Sequence, residues 1–544
     1  MLAAIDGLRV AREVRAGRAA FHALLGRGLS AHSDLRSQAA AGVAMLEAAD
    51  ARARGSVWIG GWSHVPVLGS PARWLRGTTA AVAGLGRAGN DVVAKLEPRL
   101  NAARDPAGRL ALLDTMAAEF ARLRAEVDAV DIPGTGWFLP PVDSANAQLH
   151  RELSHLRSEL DDGAVAARGI HAFLAGPSTY VVLAANNAEM RAGGMILQAG
   201  LMRALNGRIA TGAFYPTGKL ILDKPVTVPS QIQTLYGWLD PGREWRNTGS
   251  SPNFPAVGPI YAEMARRDSH RPIDGAIQLD VPALRSLLEV VGPVVVAGRT
   301  YDASNVERLV MHDLYVQFGP EQYQRRHEFS HLAEATFHAL TQRRWDPRKL
   351  IEALARTAAG RHLMLWSARA ADEQAWQRLR VDGALDRNGL MVTIQNHTGN
   401  KLDWFLRPTV DITRKTLPDG FERVTLQISI ANPTPRSEPT YIAGDGSIVP
   451  RGGYRAFVVV YLPGWATNVD VVGDPTLIVG TDGPMRVIGT RVDVLRNQTR
   501  IVRIVFVAPP AARVALLPSG RFPPMVVHMG GTSFDDAGRR DLEL

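Results

Sequence analysis

An arginine flanked by a glutamate and a glycine pair, in Asn187-Ala188-Glu189-Met190-Arg191-Ala192-Gly193-Gly194, is the stretch of this sequence best suited to chemistry. A guanidinium offers a planar fork of donors that fits phosphate or carboxylate, and glycine lets a ligand approach the backbone. The combination points to an anion site. The plainer reading is a tight hairpin in which Glu189 pairs with Arg191 and the glycines supply positive φ. Arg243, Arg246, Arg266, Arg267 and Arg271 stand around the polar loop 240–255. Clustered arginines can hold a pyrophosphate or an anionic glycan, but scattered ones are more often solvated surface, and that reading is favoured here. Asp274 and Asp280 lie six apart on one expected strand, hence on one face. Asp274 precedes Gly275, where it is placed to shape the strand entry, whereas Asp280 precedes Val281-Pro282 and is placed to cap the next helix. The expected ligand site is a groove faced by Asn187, Glu189 and Arg191 and bordered by Arg243, Arg246 and Asp274, where loops meet strand ends.

Two further patterns invite chemistry. His327-Glu328-Phe329-Ser330-His331 is a literal H-E-x-x-H, which on a helix aligns two imidazoles with a glutamate as general base for zinc-bound water. Arg325 and Arg326 precede it where zinc peptidases keep uncharged residues, no Gly-x-x-His follows, and a third ligand would have to be Glu352 or His338. The expectation is therefore a solvated helix face with no metal. Gly84-Leu85-Gly86-Arg87-Ala88-Gly89 matches G-x-G-x-x-G but follows a helix-like run instead of a strand, so it reads as a small-residue helix contact and no cofactor is expected.

The elements that must position these residues follow from hydrophobic period. From Ala3 to about residue 165 the chain is rich in Ala, Leu and Arg at helical spacing, with breaks at Trp62-Ser63-His64-Val65-Pro66 and Asp131-Ile132-Pro133-Gly134-Thr135-Gly136 and with Asp114 placed to start a helix; a helical bundle or hairpin is expected. Residues 166–396 alternate strands (180–185, 195–199, 273–279, 293–296, 362–366, 390–395) with helices (282–291, 303–317, 321–343, 347–358), the texture of an α/β domain. Over 397–544 the helical period disappears, and 423–430, 455–461 and 499–507 read as strands of a β-sandwich, with the polar tail after Gly531 expected to fray. The fold class is thus multidomain α+β.

Composition narrows the rest. The 544 residues carry 62 Lys+Arg against 53 Asp+Glu and no Cys, which excludes disulfides, thiolate zinc sites and cysteine nucleophiles. Only six of the basic residues are Lys, so the positive charge is partly an arginine bias. Neither a nucleic-acid motif nor an aromatic stripe accompanies the charge, and no nucleic-acid partner is expected. No apolar run is long enough to span a bilayer, and the first residues lack the pattern of a secretory signal.

Four motifs resemble the bacterial domain-of-unknown-function 4012 family: Asn186–Gly194; Ser251-Pro252-Asn253-Phe254-Pro255; Pro272–Asp280 followed by Gly292-Pro293-Val294; and Gln395–Asp403. They span about residues 176–410. The resemblance implies an extracytoplasmic protein of the cell envelope, membrane-associated through an N-terminal anchor that this sequence lacks. Where that family usually carries acids, this chain has Asn247 and Asn253. The order of strand, arginine, loop and helix is also distantly similar in layout to the LytR-CpsA-Psr glycopolymer transferases, although the acid that follows the arginine there is matched by Gly193.

Nothing in the sequence demands catalysis. The leading expectation is a non-catalytic envelope scaffold or binding protein, docking to an envelope partner. The alternatives are binding or transfer of anionic glycopolymers or polyprenyl-phosphate-linked sugars, and, last, a zinc metallopeptidase.

Overall fold

The computed structural model describes residues 10, 12–13, 35–62, 69–103, 105–132 and 140–544. Residues 63–66 and 133–136 of the two expected helix breaks lie outside these. The chain forms two compact units, Met1–Ala175 with Asp346–Glu352, and Gly176–Trp345 with Ala353–Leu544.

The first unit is helical, with α1 (Leu35–Gly55), α2 (Val57–Trp62), α3 (Gly69–Ala102), α4 (Pro106–Asp128) and α5 (Pro140–Ala175). Ala88, Val92, Leu123, Val127, Leu153 and Leu160 form a core between α3, α4 and α5. The G-x-G-x-x-G lies inside α3, with Ala88 in that core, so its small residues serve helix contact. Asp114 does not start a helix. Asp105 does: its carboxylate accepts the Gly108 N–H at 2.7 Å and Pro106 supplies a preset φ, which leaves Asp114 in the middle of α4.

In the second unit a five-stranded sheet of order β3-β2-β1-β4-β7 comprises β1 (Ser178–Asn186), β2 (Met195–Leu205), β3 (Arg208–Pro216), β4 (Gly275–Leu279) and β7 (Leu363–Ser367). Only β1 and β4 run parallel. A small hairpin, β5 (Val294–Val296) and β6 (Arg299–Tyr301), lies between β4 and β7 in the chain. Helix α6 (Phe254–Ser269) packs so closely that a Cβ at Gly258 would come within 2.6 Å of Trp366 Cβ. Helix α7 (Val281–Val291) is capped as expected, Asp280 Oδ1 accepting the Ala283 N–H at 3.1 Å. The helix expected over 303–317 contains one π-helical turn, Leu309–Asp313, which ends two residues before Tyr315. Helix α8 (Gln322–Gln342) follows.

Two six-stranded sheets complete the unit. One has the order β12-β15-β10-β9-β17-β18 and the other β13-β14-β11-β8-β16-β19. Their members are β8 (Gly389–Asn396), β9 (Arg407–Thr416), β10 (Glu422–Ala431), β11 (Tyr454–Leu462), β12 (Thr467–Val472), β13 (Ile478–Asp482), β14 (Met485–Val494), β15 (Thr499–Ala508), β16 (Arg513–Leu516), β17 (Val526–Met529), β18 (Thr532–Asp535) and β19 (Arg540–Glu543). The alternating Val424, Leu426, Ile428 and Ile430 of β10 share one core with Val458 and Val460 of β11 and Val392 and Ile394 of β8, the packing of a β-sandwich.

Two expectations change here. Residues 390–395 do form a strand, but β8 pairs with β11 and β16, so it belongs to the sandwich and not to the α/β sheet. Its eight residues are all buried, because the second face of this sheet packs on the α/β layer: Met391, Val459 and Tyr461 share a core with Val181 and Leu183 of β1. A strand buried on both faces loses the alternation that would have marked it as a sandwich strand. The tail after Gly531 does not fray either. It supplies β18 and β19, Asp536 accepts the N–H groups of Ser519 and Met525, and the Leu544 N–H bonds Ala512 O at 2.8 Å.

Candidate functional site

The connection between β1 and β2 is fixed at nearly every residue. Asn186 Oδ1 accepts the Ala188 N–H at 2.9 Å, and its amide donates to Tyr315 Oη at 3.1 Å. Met190 donates its N–H to Asp403 Oδ2 at 3.2 Å and accepts the Asn396 N–H at 2.9 Å. At Gly194, φ is +86° and a Cβ would lie 3.1 Å from that of Ala185, so glycine is needed for the turn itself. Gly193 and Ala192 border only a void of about 10 Å³, room for one water, so the glycine pair serves packing and not ligand approach.

Beside this connection lies a cavity of about 440 Å³. Arg191, Arg246, Arg325, Arg326 and Lys401 line it, five cations against the one lining carboxylate of Glu189. Counting Glu244, which chelates Arg246 at 2.6 and 2.9 Å, the local balance is still 5 − 2 = +3. Met195, Leu197, Phe329 and the rings of Tyr315 and Tyr441 provide the rest of its wall.

Each cation is placed by a different element. Arg191 donates from Nε and Nη2 to Asn247 Oδ1 at 3.2 and 2.9 Å and from Nη1 to Asn396 O at 2.6 Å. Its partners are thus neutral. Burial pushes the Arg191 guanidinium down from its ordinary value, an effect opposed by the charges of Glu189 and Asp403. Burial alone would lift Glu244, but its bonds to Arg246 hold it below the usual carboxylate range. Arg325 and Arg326 sit on the first turns of α8. Arg325 bonds Gly319 O at 2.8 Å and Tyr441 Oη at 2.7 Å, its guanidinium 4.6 and 4.7 Å from the ring centres of Tyr315 and Tyr441. Lys401 lies 5.6 and 5.0 Å from the same rings, 3.1 Å from Glu189 Oε1 and 2.6 Å from Gly399 O. The Arg326 guanidinium has no hydrogen bond or ion pair among the described residues.

Of the six expected site residues, the structure brings Glu189, Arg191 and Arg246 together. Glu189 pairs with Lys401, not with Arg191. Asn187 faces away, donating to Asp280 Oδ2 at 2.9 Å and Gly520 O at 3.0 Å. Arg243 is exposed and bonds Leu222 O at 2.6 Å. Asp274 is at the opposite end of the sheet: it exchanges hydrogen bonds with the Thr179 backbone at the start of β1, whereas the cavity adjoins the end of β1. Asp274 and Asp280 flank β4 at its two ends, so they share no ligand-facing surface. Arg266 and Arg267 pair with Glu263 on α6, the solvated surface foreseen for them. Arg325, Arg326, Lys401, Tyr315 and Tyr441 were not foreseen as site residues. The adjacent arginines just inside the start of a helix were the available signal.

His327 and His331 are exposed on α8 with ring centres 4.3 Å apart, but Glu328 is buried, bonded to Tyr301 and 3.4 Å from Arg299. A glutamate so held cannot act as base for a metal between those imidazoles. Among the described residues no three His, Asp or Glu side chains are grouped to hold a metal ion.

Residues 175–315 match the family model described as Protein of unknown function (DUF4012). This match supports the family resemblance read from the sequence motifs. The DUF4012 match includes Glu189, Arg191, Arg246 and Tyr315, while the other cations of the cavity come from later in the chain. No curated protein and no solved structure is detectably similar to the chain, so the layout likeness to LytR-CpsA-Psr transferases gains no support. Among the described residues no helix is long and apolar enough to cross a membrane.

Proposed function

We propose that this chain is a binding protein for a multiply charged anion, a ligand bearing phosphate or pyrophosphate, held in the cavity beside Arg191. The observation that carries this reading is the cluster of Arg191, Arg246, Arg325, Arg326 and Lys401 around about 440 Å³, a volume in the usual range for small-molecule sites. Arginine forks suit phosphate oxygens, and low-dielectric walls strengthen the attraction. The family resemblance favours the cell envelope as the place of action.

One observation favours an amphiphilic ligand as a second reading. A mainly apolar pocket of about 70 Å³, bordered by Leu284, Leu287, Leu332 and Phe337, shares Leu197 and Phe329 with the basic cavity. A phosphate in one and a prenyl chain entering the other would use both.

Titration calorimetry of the full chain with inorganic pyrophosphate tests the proposal. Binding should weaken as salt rises. Arg326→Ala should cost about 1.5–3 kcal/mol of binding without lowering the melting temperature, because that guanidinium has no partner to lose. Arg191→Ala should weaken binding and also lower the melting temperature, since Asn396 O and Asn247 lose their donor. No binding at low salt, or unchanged affinity in Arg326→Ala, rejects the reading. Farnesyl pyrophosphate binding no tighter than pyrophosphate rejects only the amphiphile.

A further inference from the structure

Glu189 is out of place in a cavity for anions. Its side chain is 10% exposed, its Oε1 takes Lys401 at 3.1 Å, and its Oε2 has no hydrogen bond among the described residues. The carboxylate acts electrostatically on Arg191, Arg246 and Tyr315, which places it among the cations and not behind them. An ionised carboxylate only accepts hydrogen bonds. It repels any phosphate set against it, so the part of a ligand that meets Glu189 must be a donor. A cationic donor is disfavoured by the five surrounding cations. A neutral donor is left, and it must belong to a molecule whose other end is anionic.

Resting on the anion-binding reading, we infer that the ligand class is a phosphorylated sugar, with Glu189 accepting hydrogen bonds from ring hydroxyls while the arginines hold the phosphate. The site exceeds what a bare phosphate would fill. Glu189 is then a specificity residue: it costs affinity for simple anions and returns it for hydroxyl-bearing ones. Such discrimination by a buried polar group is steep, because an analogue lacking the hydroxyl leaves the acceptor unpaired.

The test compares two phosphate monoesters of equal charge, glucose 1-phosphate and methyl phosphate, on the full chain by calorimetry. The wild-type protein should prefer glucose 1-phosphate by about tenfold or more, the worth of one charged hydrogen bond. Glu189→Ala should bind methyl phosphate more tightly than the wild type and glucose 1-phosphate no more tightly, closing the gap. If Glu189→Ala does not fold, Glu189→Gln serves, with the charge removed and the gap narrowed. Equal affinities in the wild type, or an equal change for both esters in the variant, overturns the inference while leaving anion binding intact. Failure of the wild type to bind either ester or pyrophosphate overturns the anion reading itself.

Discussion

A buried ion pair anchors the connection that carries Glu189 and Arg191, and its removal has a predictable cost. Asp403 is fully buried, and its Oδ1 accepts from Arg521 Nη1 at 2.8 Å and from Tyr454 Oη at 2.7 Å. Its Oδ2 accepts from Asn396 Nδ2 at 2.9 Å and from the Met190 N–H at 3.2 Å, and its backbone oxygen takes Arg521 Nη2 at 2.9 Å. Arg521→Met strips one charged donor from a carboxylate that water cannot reach and another from the backbone oxygen of the same residue. Breaking such a pair from one side costs about 3–5 kcal/mol, because the remaining charge stays buried without compensation. Asp403→Asn should cost a similar amount by stranding the Arg521 guanidinium. The double variant Arg521→Met/Asp403→Asn buries no charge at this point and should cost less than the sum of the two by at least about 2 kcal/mol. Urea unfolding of the full chain, followed by the β-sheet circular dichroism, measures all three. The Met190 anchor also predicts weaker pyrophosphate binding in Asp403→Asn, since Met190 lies between Glu189 and Arg191. Single variants costing under about 1 kcal/mol, or strictly additive costs, would refute this account of the pair.

Two other outcomes follow from the geometry. Burial by itself would lower the His362 imidazole, but Asp280 at 2.7 Å, with Asp536 and Glu307 beyond it, raises it above its ordinary value. The pair therefore adds stability in full below the unfolded histidine value of about 6.5 and loses it as pH rises through the raised folded value. The melting-temperature gap between wild type and His362→Gln should shrink from pH 6 upward; a gap that widens with pH would contradict the sign. Gly258→Ala gains up to about 1 kcal/mol of helix propensity, but its new methyl would stand 2.6 Å from Trp366 Cβ, and overpacking costs about 1–3 kcal/mol. A net loss in urea midpoint is expected, and a stabilised variant would show that α6 has room to move.

How far the sequence was legible depended on how local the cause was. β10 and β15 alternate because one face of each is wet, and their limits fall within a residue or two of those read from period two. β3 was missed, since its pattern is mostly exposed and little apolar alternation marks it. The short helices near 230 and 245 were missed for a different reason, being too brief for a 3.6-residue period to show. At the site, Arg191 drew attention through its neighbours in sequence. Lys401 and Tyr441 gave no such signal, because they meet Glu189 only after β8 has joined the sandwich and carried the following loop back to the end of β1. Asp274 misled for the converse reason. It belongs to the right strand but to its other end, and face periodicity carries no information about which end of a strand a ligand uses.

Five cations within one cavity repel one another, and the way they are held bears on function. A structural cluster would answer each arginine with a carboxylate, as Glu263 answers Arg266 and Arg267 on the outer surface of α6. Inside the cavity Arg191 is bonded to an amide and a carbonyl, Arg325 to a carbonyl and a tyrosine hydroxyl, and Lys401 shares Glu189 with no other donor. Neutral acceptors satisfy hydrogen-bonding geometry without cancelling charge, and the Tyr315 and Tyr441 rings hold Arg325 and Lys401 by their faces in the same way. Glu244 answers Arg246 and Glu189 answers Lys401, so the fold fixes the directions of all five side chains and leaves a net charge of 5 − 2 = +3 uncancelled, carried by Arg191, Arg325 and Arg326. Repulsion tolerated in this manner lowers the stability of the empty protein and is relieved when an anion enters, so the same arrangement that weakens the fold locally is what makes the site ready to bind.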